Sequence, residues 1–411
     1  MPPPRFLQLH TLTSYPSTLL NRDDVGFAKR IPFGGVERGR ISSQCLKRHW
    51  READSDQQFR RMQGVERSIP SRRGFEREVL AALVDLDPHK AVGVVIALKL
   101  FMTMPSTTKL QRKKIGTAWR EQFDAFVNGD DEAKEQSLRT DQVITLGAPE
   151  LRYLSTLARE ILSRVSSPNE AFDTVAARCD ANLAKNLAAL RVGAGIEAAL
   201  FGRMVTGDVL ARCDAAVHVA HAFTVHAGTF ETDYFSAVDD LQSREETGSG
   251  HINTSELTTG LYYGYVVVDL PLLVSNLEGC PLEQWKTADR SLAGEVVRRL
   301  FYLVATITPG AKKGATAPYA TALALLAETG DAQPRTLANA FLDAVNGKAG
   351  LLPIAQSRLA SHLRGLDEMY GRSTKRRVAA VDPTDDLLAA ADGRLPLTEL
   401  AQWAARELSA T

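Results

Sequence analysis

The stretch GRISSQCLKRHWR, residues 39–51, places four Lys or Arg side chains, His49 and two serines in thirteen positions of a chain with no net charge. Ser42 and Ser43 are residue types that cap helix N-termini, so the stretch predicts a helix that begins near Gln44. Four cations and a histidine in so short a stretch of a neutral chain require an explanation.

This helix is predicted to have two different faces. At about 100° per residue, Leu46 and Trp50 point to one side, where we expect them to pack on a core. The opposite quarter of the circumference carries Gln44, Lys47, Arg48 and Arg51. Cations near a helix N-terminus favour phosphate groups, so this face is predicted to be an anion site or a partner surface. A solvated polar face explains the composition equally well.

The basic character extends upstream of the helix. Residues 22–51 contain eight Lys or Arg and three acids, a local excess of five positive charges. The basic positions are 22, 29, 30, 38, 40, 47, 48 and 51, and the acidic ones are 23, 24 and 37. The whole chain balances 49 basic against 49 acidic residues, so any role in nucleic-acid binding depends on this local patch.

Composition indicates an ordinary globular protein. The 411 residues are 44% hydrophobic and 24% charged, which is typical of soluble domains. The four cysteines are scattered without the close spacing of a zinc knuckle or redox motif, which favours reduced thiols. The N-terminus lacks the apolar region of a signal peptide, and no apolar run approaches the roughly 18 residues of a membrane span. We therefore expect a cytoplasmic protein with no membrane partner.

The first element is predicted to be a strand. Residues 5–12, RFLQLHTL, alternate Leu7 and Leu9 with Gln8 and His10, the two-residue period of a strand with one buried face. The segment that follows is rich in Pro, Gly and Asp, which predicts a long loop.

The remaining chain alternates between segments with helical periodicity and segments rich in strand-forming residues. Residues 73–192 are mostly helical in period and indicate a helical insertion, whereas residues 215–227 and 260–273 are rich in β-formers. Further helices are predicted at 290–307, 336–347 and 398–411. A basic, Gly-containing loop, PGAKKGATAPY at 309–319, lies between the first two of these helices.

Residues 227–256 are acidic, with seven carboxylates against the single Arg244. This segment cannot hold phosphate by charge. Contact with nucleic acid would require apolar side chains that stack on bases or wedge between them, the candidates being Phe230, Tyr234, Phe235 and Val238. The alternative is a hairpin whose aromatic residues pack on the body of the protein.

Motifs for catalysis or metal binding are weak. His218, His221 and His226 fit no regular ligand spacing, so we expect no metal, and a basic strand lining a groove is favoured. Asp23 and Asp24 could serve a magnesium-assisted reaction, but adjacent aspartates in a loop more often form turns and ion pairs. No P-loop, GxSxG or HExxH motif is present, and no cofactor is expected.

Five blocks of sequence resemble one family in order and spacing. They are LQLHTLTSYPSTLLNRDDVG (7–26), FGGVERGRISSQCLKRHWR (33–51), GIEAALFGRMVTGD (195–208), AHAFTVHAGTFETDYFSAVDDLQ (220–242) and TPGAKKGATAPY (308–319). The chain thereby resembles the CasC (Cse-four) backbone subunit of the type I-E CRISPR complex Cascade, in the RAMP superfamily. Cys45 departs from the Ser that the resemblance implies, and His49 and Trp50 are bulkier than the residues usual there.

The resemblance implies an α+β fold with the shape of a right hand. Its parts are an RRM-like (ferredoxin-like) palm, a helical fingers insertion and a β-hairpin thumb. The implied segments are palm at 1–55, fingers at 56–192, palm at 193–226, thumb at 227–258, and palm with C-terminal helices at 259–411.

The function that the resemblance implies is not catalytic. Several copies stack head to tail along CRISPR RNA, hold its phosphates and present its bases to a target DNA strand, together with other Cascade subunits. The implied RNA-contacting residues are Asn21, Arg22, Lys29, Arg40, Ser42, Gln44, Lys47, Arg48 and Arg51, with Met204 and Phe235 as a wedge at a displaced nucleotide. Two alternatives stay open: a RAMP-fold ribonuclease that uses Asp23 or Asp24 with magnesium, and a solitary single-stranded RNA binder.

Overall fold

The computed structural model describes residues 2–179, 183, 187, 194–203, 213–237, 251–346 and 350–409. The chain divides into two compact units. The first, called the sheet unit, comprises residues 1–61, 217–270 and 290–411, and the second, called the helical unit, comprises 62–216 and 271–289. The five-segment division implied by the resemblance stays a prediction.

Eleven strands lie in the described part of the chain. They are β1 (Phe6–Thr18), β2 (Arg30–Phe33), β3 (Val36–Ile41), β4 (Ser68–Ser71), β5 (Ile144–Gly147), β6 (Val217–Val219), β7 (Ala222–Thr224), β8 (Thr229–Ala237), β9 (His251–Asp269), β10 (Ala322–Gly330) and β11 (Lys375–Ala380). The large sheet runs in the order β11-β10-β1-β9-β7-β3-β2, with β6 and β8 also paired to β9. Its pairings are antiparallel.

The α-helices of the described ranges lie between and after these strands along the chain. They are α1 (Ser43–Arg51), α2 (Pro88–Thr103), α3 (Lys109–Asn128), α4 (Asp131–Leu138), α5 (Ala148–Leu162), α6 (Pro168–Arg178), α7 (Ile196–Phe201), α8 (Leu270–Glu278), α9 (Ser291–Thr306), α10 (Lys313–Thr316), α11 (Leu351–Tyr370), α12 (Asp385–Ala389) and α13 (Leu397–Ser409). An antiparallel sheet with helices confirms the α+β class. None of the helices in the described ranges combines the length and the hydropathy of a membrane span.

The first strand is confirmed, but the prediction that only one of its faces is buried is wrong. β1 lies between β9 and β10, and both of its faces are covered. His10 is 1% exposed, with Nδ1 2.9 Å from the Tyr263 hydroxyl and Nε2 3.2 Å from the Glu328 carboxylate. The alternation of polar and apolar residues therefore marks a face that is buried and hydrogen-bonded rather than solvated.

Two other predicted elements are corrected. The strand predicted over 260–273 ends at Asp269, and α8 begins at the next residue. The helix predicted at 336–347 is only a short 3₁₀ turn, Ala338–Phe341. Arg38, fully buried, donates to the carbonyls of Phe341 and Leu342 at 3.0 and 3.4 Å, and Val345 N–H donates to the carbonyl of Val225. The backbone groups of this segment therefore pair with the sheet instead of closing helical turns.

The helical unit is built around α2. Twelve consecutive residues of α2, Ala91–Met102, are buried, so this helix is covered on all sides. The unit also contains the antiparallel pair β4–β5, which the helical period of the sequence did not predict.

A lysine is buried inside the helical unit. Lys99, 2% exposed, donates from Nζ to Gln122 Oε1 at 2.7 Å and to the carbonyls of Ser137 and Arg139 at 2.5 and 3.1 Å. Burial lowers the pKa of Lys99 to about 8, although Asp141 opposes the shift. The ammonium caps the C-terminal end of α4, where carbonyl groups lack helical partners.

This pKa predicts how stability depends on pH. Between pH 8 and the ordinary pKa of 10.5, the unfolded chain binds more protons at Lys99 than the folded chain does, so the free energy of unfolding rises with pH. From about pH 7.5 to 9.5, the native protein should gain about 2 kcal/mol relative to a Lys99→Met variant, measured by urea unfolding. The exposed Lys113→Met is the control and should show no such difference; a loss of relative stability with pH would contradict the prediction.

Candidate nucleic-acid interface

Helix α1 begins as the sequence predicts. Ser42 is the N-cap, and its hydroxyl accepts a hydrogen bond from Cys45 N–H at 3.2 Å. Trp50, 3% exposed, and the partly buried Leu46 face the sheet, which confirms the predicted apolar side. The helix is therefore held with its N-terminus at the end of β3.

The loop before β2 is fastened to the start of α1. Asn21 Oδ1 accepts from Ser42 N–H at 2.9 Å, and the Asn21 carbonyl accepts from Lys29 N–H at 2.9 Å. Within the loop, one carboxylate oxygen of Asp23 accepts from the N–H groups of Val25, Gly26 and Phe27 at 3.0, 2.8 and 2.8 Å. Asp23 thus folds the loop as an Asx turn, the alternative that its sequence context favours.

A groove of about 1080 Å³ runs along α1, from Ser42 at its start to Glu52 past its end. Five predicted RNA-contacting residues line it: Asn21, Arg22, Ser42, Gln44 and Arg48. Its acidic lining consists of Asp23, Glu52 and Asp54. The Asp23 carboxylate binds loop amides, and Glu52 accepts from Arg60 at 3.1 Å, so both are already engaged.

The predicted cationic face of α1 is divided by this groove. Arg48 is exposed and lines it together with Gln44. Lys47 and Arg51 are half-buried on the adjoining side of the helix, and burial lowers the pKa of Lys47. The division follows from the helical angle, which turns positions 47 and 51 about 60–100° away from position 48.

A second cluster lies at the N-terminus of α1. Lys29 and Arg40 are adjacent through the hydrogen bond from Arg40 N–H to the Lys29 carbonyl at 2.8 Å. Their charges, after desolvation, lower the pKa of His221, so both cations act electrostatically on its ring.

Two cations of the basic block are used within the fold. Arg38 is buried and bound to backbone carbonyls, including that of Thr224 at 3.1 Å. Arg30 pairs with Glu37 at 2.8 Å and with Glu256, and its guanidinium lies 3.9 Å from the centroid of the Phe230 ring. The local excess of positive charge counted from the sequence therefore overstates what a ligand can reach.

The predicted wedge is only partly described. Met204 lies outside the described residues. Phe235 lies in β8 with its backbone opposite Asn253, but its side chain lies outside the described part of the chain. Phe230 packs under Arg30, the arrangement that the alternative of a packed hairpin anticipates.

The sequence missed two groove residues. Lys313 and Tyr319 come from the loop at 309–319 and line the same groove, with Tyr319 78% exposed. The loop is held by hydrogen bonds from Ala311 N–H to the Leu19 carbonyl at 2.8 Å and from Gly310 N–H to His49 Nε2 at 3.3 Å. Its basic, Gly-containing composition was the available signal.

Comparison with known proteins gives a family and a fold. The model of the CT1975-like protein family matches residues 7–403. A solved chain described as "CRISPR RNA-guided surveillance complex, pre-nicking" is similar over 97% of this chain and 100% of its own, with 26% identity and a TM-score of 0.73. Another, described as "CRISPR RNA-guided surveillance complex", shares the fold at 21% identity and a TM-score of 0.53, over 97% and 99% of the two chains. None of the curated proteins matches this sequence.

Proposed function

We propose, from the premise that the chain belongs to the CT1975-like protein family, that it is a guide-RNA-binding subunit of a CRISPR surveillance complex. The observation that carries this proposal is the groove beside α1, which is lined by Arg22, Arg48 and Lys313 and by Ser42, the N-cap of that helix. Phosphate contacts of this kind position a nucleic acid without reading its sequence. The similar solved chains belong to complexes described as RNA-guided.

More specifically, we propose that the chain is a backbone subunit of a type I-E complex and a member of the RAMP superfamily. Several copies stack head to tail along CRISPR RNA in the cytoplasm, contact other Cas subunits and present the guide bases to target DNA. The long strand β9 supports a thumb in a right-hand, RRM-like fold. Its residues 258–269 pair with β1, whereas its pairing at 251–257 is with β8 among the described strands. The outer part is thus a two-stranded ribbon that extends beyond the sheet.

We further propose that the subunit is not an enzyme. The alternative ribonuclease would need Asp23 or Asp24 to hold magnesium or move a proton. Asp23 is occupied with three backbone amides, and such hydrogen bonds give its carboxylate a structural role. No group of three or more His, Cys, Asp or Glu side chains suited to a metal is present in the described ranges.

The test is co-expression of the chain with its complex partners and a guide. We expect a particle of discrete mass that contains several copies of the chain and one RNA protected along its length. Adding complementary RNA and magnesium should yield no fragments. A soluble monomer without RNA would contradict the proposal, and regularly spaced fragments that vanish in Asp23→Ala or Asp24→Ala would establish the ribonuclease instead.

A further inference from the structure

His221 lies where strand β3 passes into helix α1. In the register of β7 and β3, Ala222 pairs with Ile41 and Phe223 with Arg40, which brings His221 beside the serine pair at the start of α1. Ser43 N–H donates to His221 Nδ1 at 2.8 Å. The imidazole is thereby fixed at the N-terminus of the helix although the residue is exposed.

This hydrogen bond sets the tautomer of the ring. Because Nδ1 accepts from an amide, the ring proton of the neutral imidazole resides on Nε2, which is then a donor. Partial desolvation and the charges of Arg40 and Lys29 lower the pKa of His221, which also favours the neutral ring. No acceptor for Nε2–H occurs among the described residues.

The surroundings of this donor suit an anion. Lys29 and Arg40 are the charged groups that act on the ring. Arg40 Nε is buried and has no hydrogen-bond partner in the part of the chain that the structure describes. One neutral donor and two cations at one place match a phosphate, whose oxygens accept several hydrogen bonds at once.

We infer that His221 donates its Nε2–H to a phosphate oxygen of the bound RNA, between Lys29 and Arg40. The inference rests on the proposed function and adds to it a contact made by a neutral donor. A neutral donor releases no counterion, so its loss weakens binding without changing the dependence on salt. Loss of Lys29, in contrast, should lower the slope of log affinity against log salt by about 0.7.

Two substitutions distinguish the role of Nε2–H as a donor from the role of Nδ1 as the acceptor for Ser43 N–H. Asparagine places an oxygen near the position of Nδ1, so His221→Asn keeps the acceptor for Ser43 N–H and loses the outward donor. Glutamine places an amide N–H near the position of Nε2, so His221→Gln keeps the donor. His89→Asn, at an exposed histidine of the helical unit, is the matched control.

The measurement is binding of a short single-stranded RNA to the full chain by fluorescence anisotropy, between about 50 and 200 mM salt. We expect His221→Asn to bind about 10- to 100-fold more weakly with an unchanged salt slope, and His221→Gln to stay close to the native protein. Native affinity in His221→Asn, or a slope reduced by about 0.7, would overturn the inference while the proposed function stands. Absence of salt-dependent binding by the native chain would overturn both.

Discussion

Replacing Arg22, Arg48 and Lys313 together by glutamine is expected to weaken RNA binding roughly 50-fold at about 150 mM salt. These three cations line one groove but come from separate segments, the loop before β2, helix α1 and the loop at 309–319. Each phosphate contact to a single strand contributes about 0.7 to the slope of log affinity against log salt. The slope should therefore fall by about two in the triple variant.

A control with the same change of net charge is available in the helical unit. Lys109, Lys113 and Arg120 are exposed on α3. Their triple replacement by glutamine should leave affinity within about twofold, since none of the three lines the groove and salt screens exposed charges that make no direct contact. An equal loss in both variants would show that binding depends on overall charge and not on the groove.

The Glu328→Gln variant is expected to lose about 3–5 kcal/mol of unfolding free energy. Glu328 is 0% exposed and Arg376 is 1% exposed. One carboxylate oxygen of Glu328 accepts from Arg376 Nε at 2.9 Å and from the Thr374 hydroxyl at 2.8 Å, and the other lies 3.2 Å from His10 Nε2. Neutralising Glu328 removes one of the two carboxylates that balance the buried charge of Arg376.

The arginine in this network is anchored twice. Arg376 also makes two parallel hydrogen bonds to Asp367, at 2.5 and 2.6 Å, and Arg335 approaches Glu328 at 3.3 Å. Burial alone would raise the pKa of Glu328, but the hydrogen bond with His10 and the charges of Arg335 and Arg376 lower it well below its usual value. The contribution to stability is therefore present above about pH 4.5 and lost as pH falls further.

Urea unfolding followed by circular dichroism measures the stability loss in Glu328→Gln. Repeating it at neutral pH and below pH 4 measures how that loss depends on pH. The control is Asp56→Asn, which breaks the exposed pair of Asp56 with Arg61 and should cost less than about 1 kcal/mol. The unfolding free energies of Glu328→Gln and Asp56→Asn should differ strongly at neutral pH, and the difference should shrink as the solution is acidified. Similar midpoints at neutral pH would show that the buried network contributes no more than an exposed ion pair.

The sequence predicts elements whose determinants are local. Helix α1 follows from Ser42 and from the positions of Leu46 and Trp50 within nine residues. The burial of His10 does not follow, because its partners Tyr263 and Glu328 lie 253 and 318 residues away. The missing helix at 336–347 has the same cause, since Arg38, which binds its carbonyls, lies 303 residues from Phe341.

In the candidate site, too, only the part that is local in sequence could be predicted. Its helix and first loop could be assigned from one contiguous block, because the residues of 21–51 are neighbours in both sequence and space. Lys313 and His221 reach that block only through folding of the sheet unit. Their own surroundings in the sequence, a glycine-containing loop and a run of β-formers, carry no indication of which helix they would meet.

The central position of β1 also affects how the protein is made. β1 spans residues 6–18, yet its two neighbours are completed only at residues 269 and 330. On the ribosome, the first strand must therefore wait for most of the chain, whereas the helical unit has most of its residues in one continuous stretch, 62–216, and can become compact earlier. During that interval β1 lacks both of its partner strands, and its unpaired backbone groups can pair with other chains until β10 emerges.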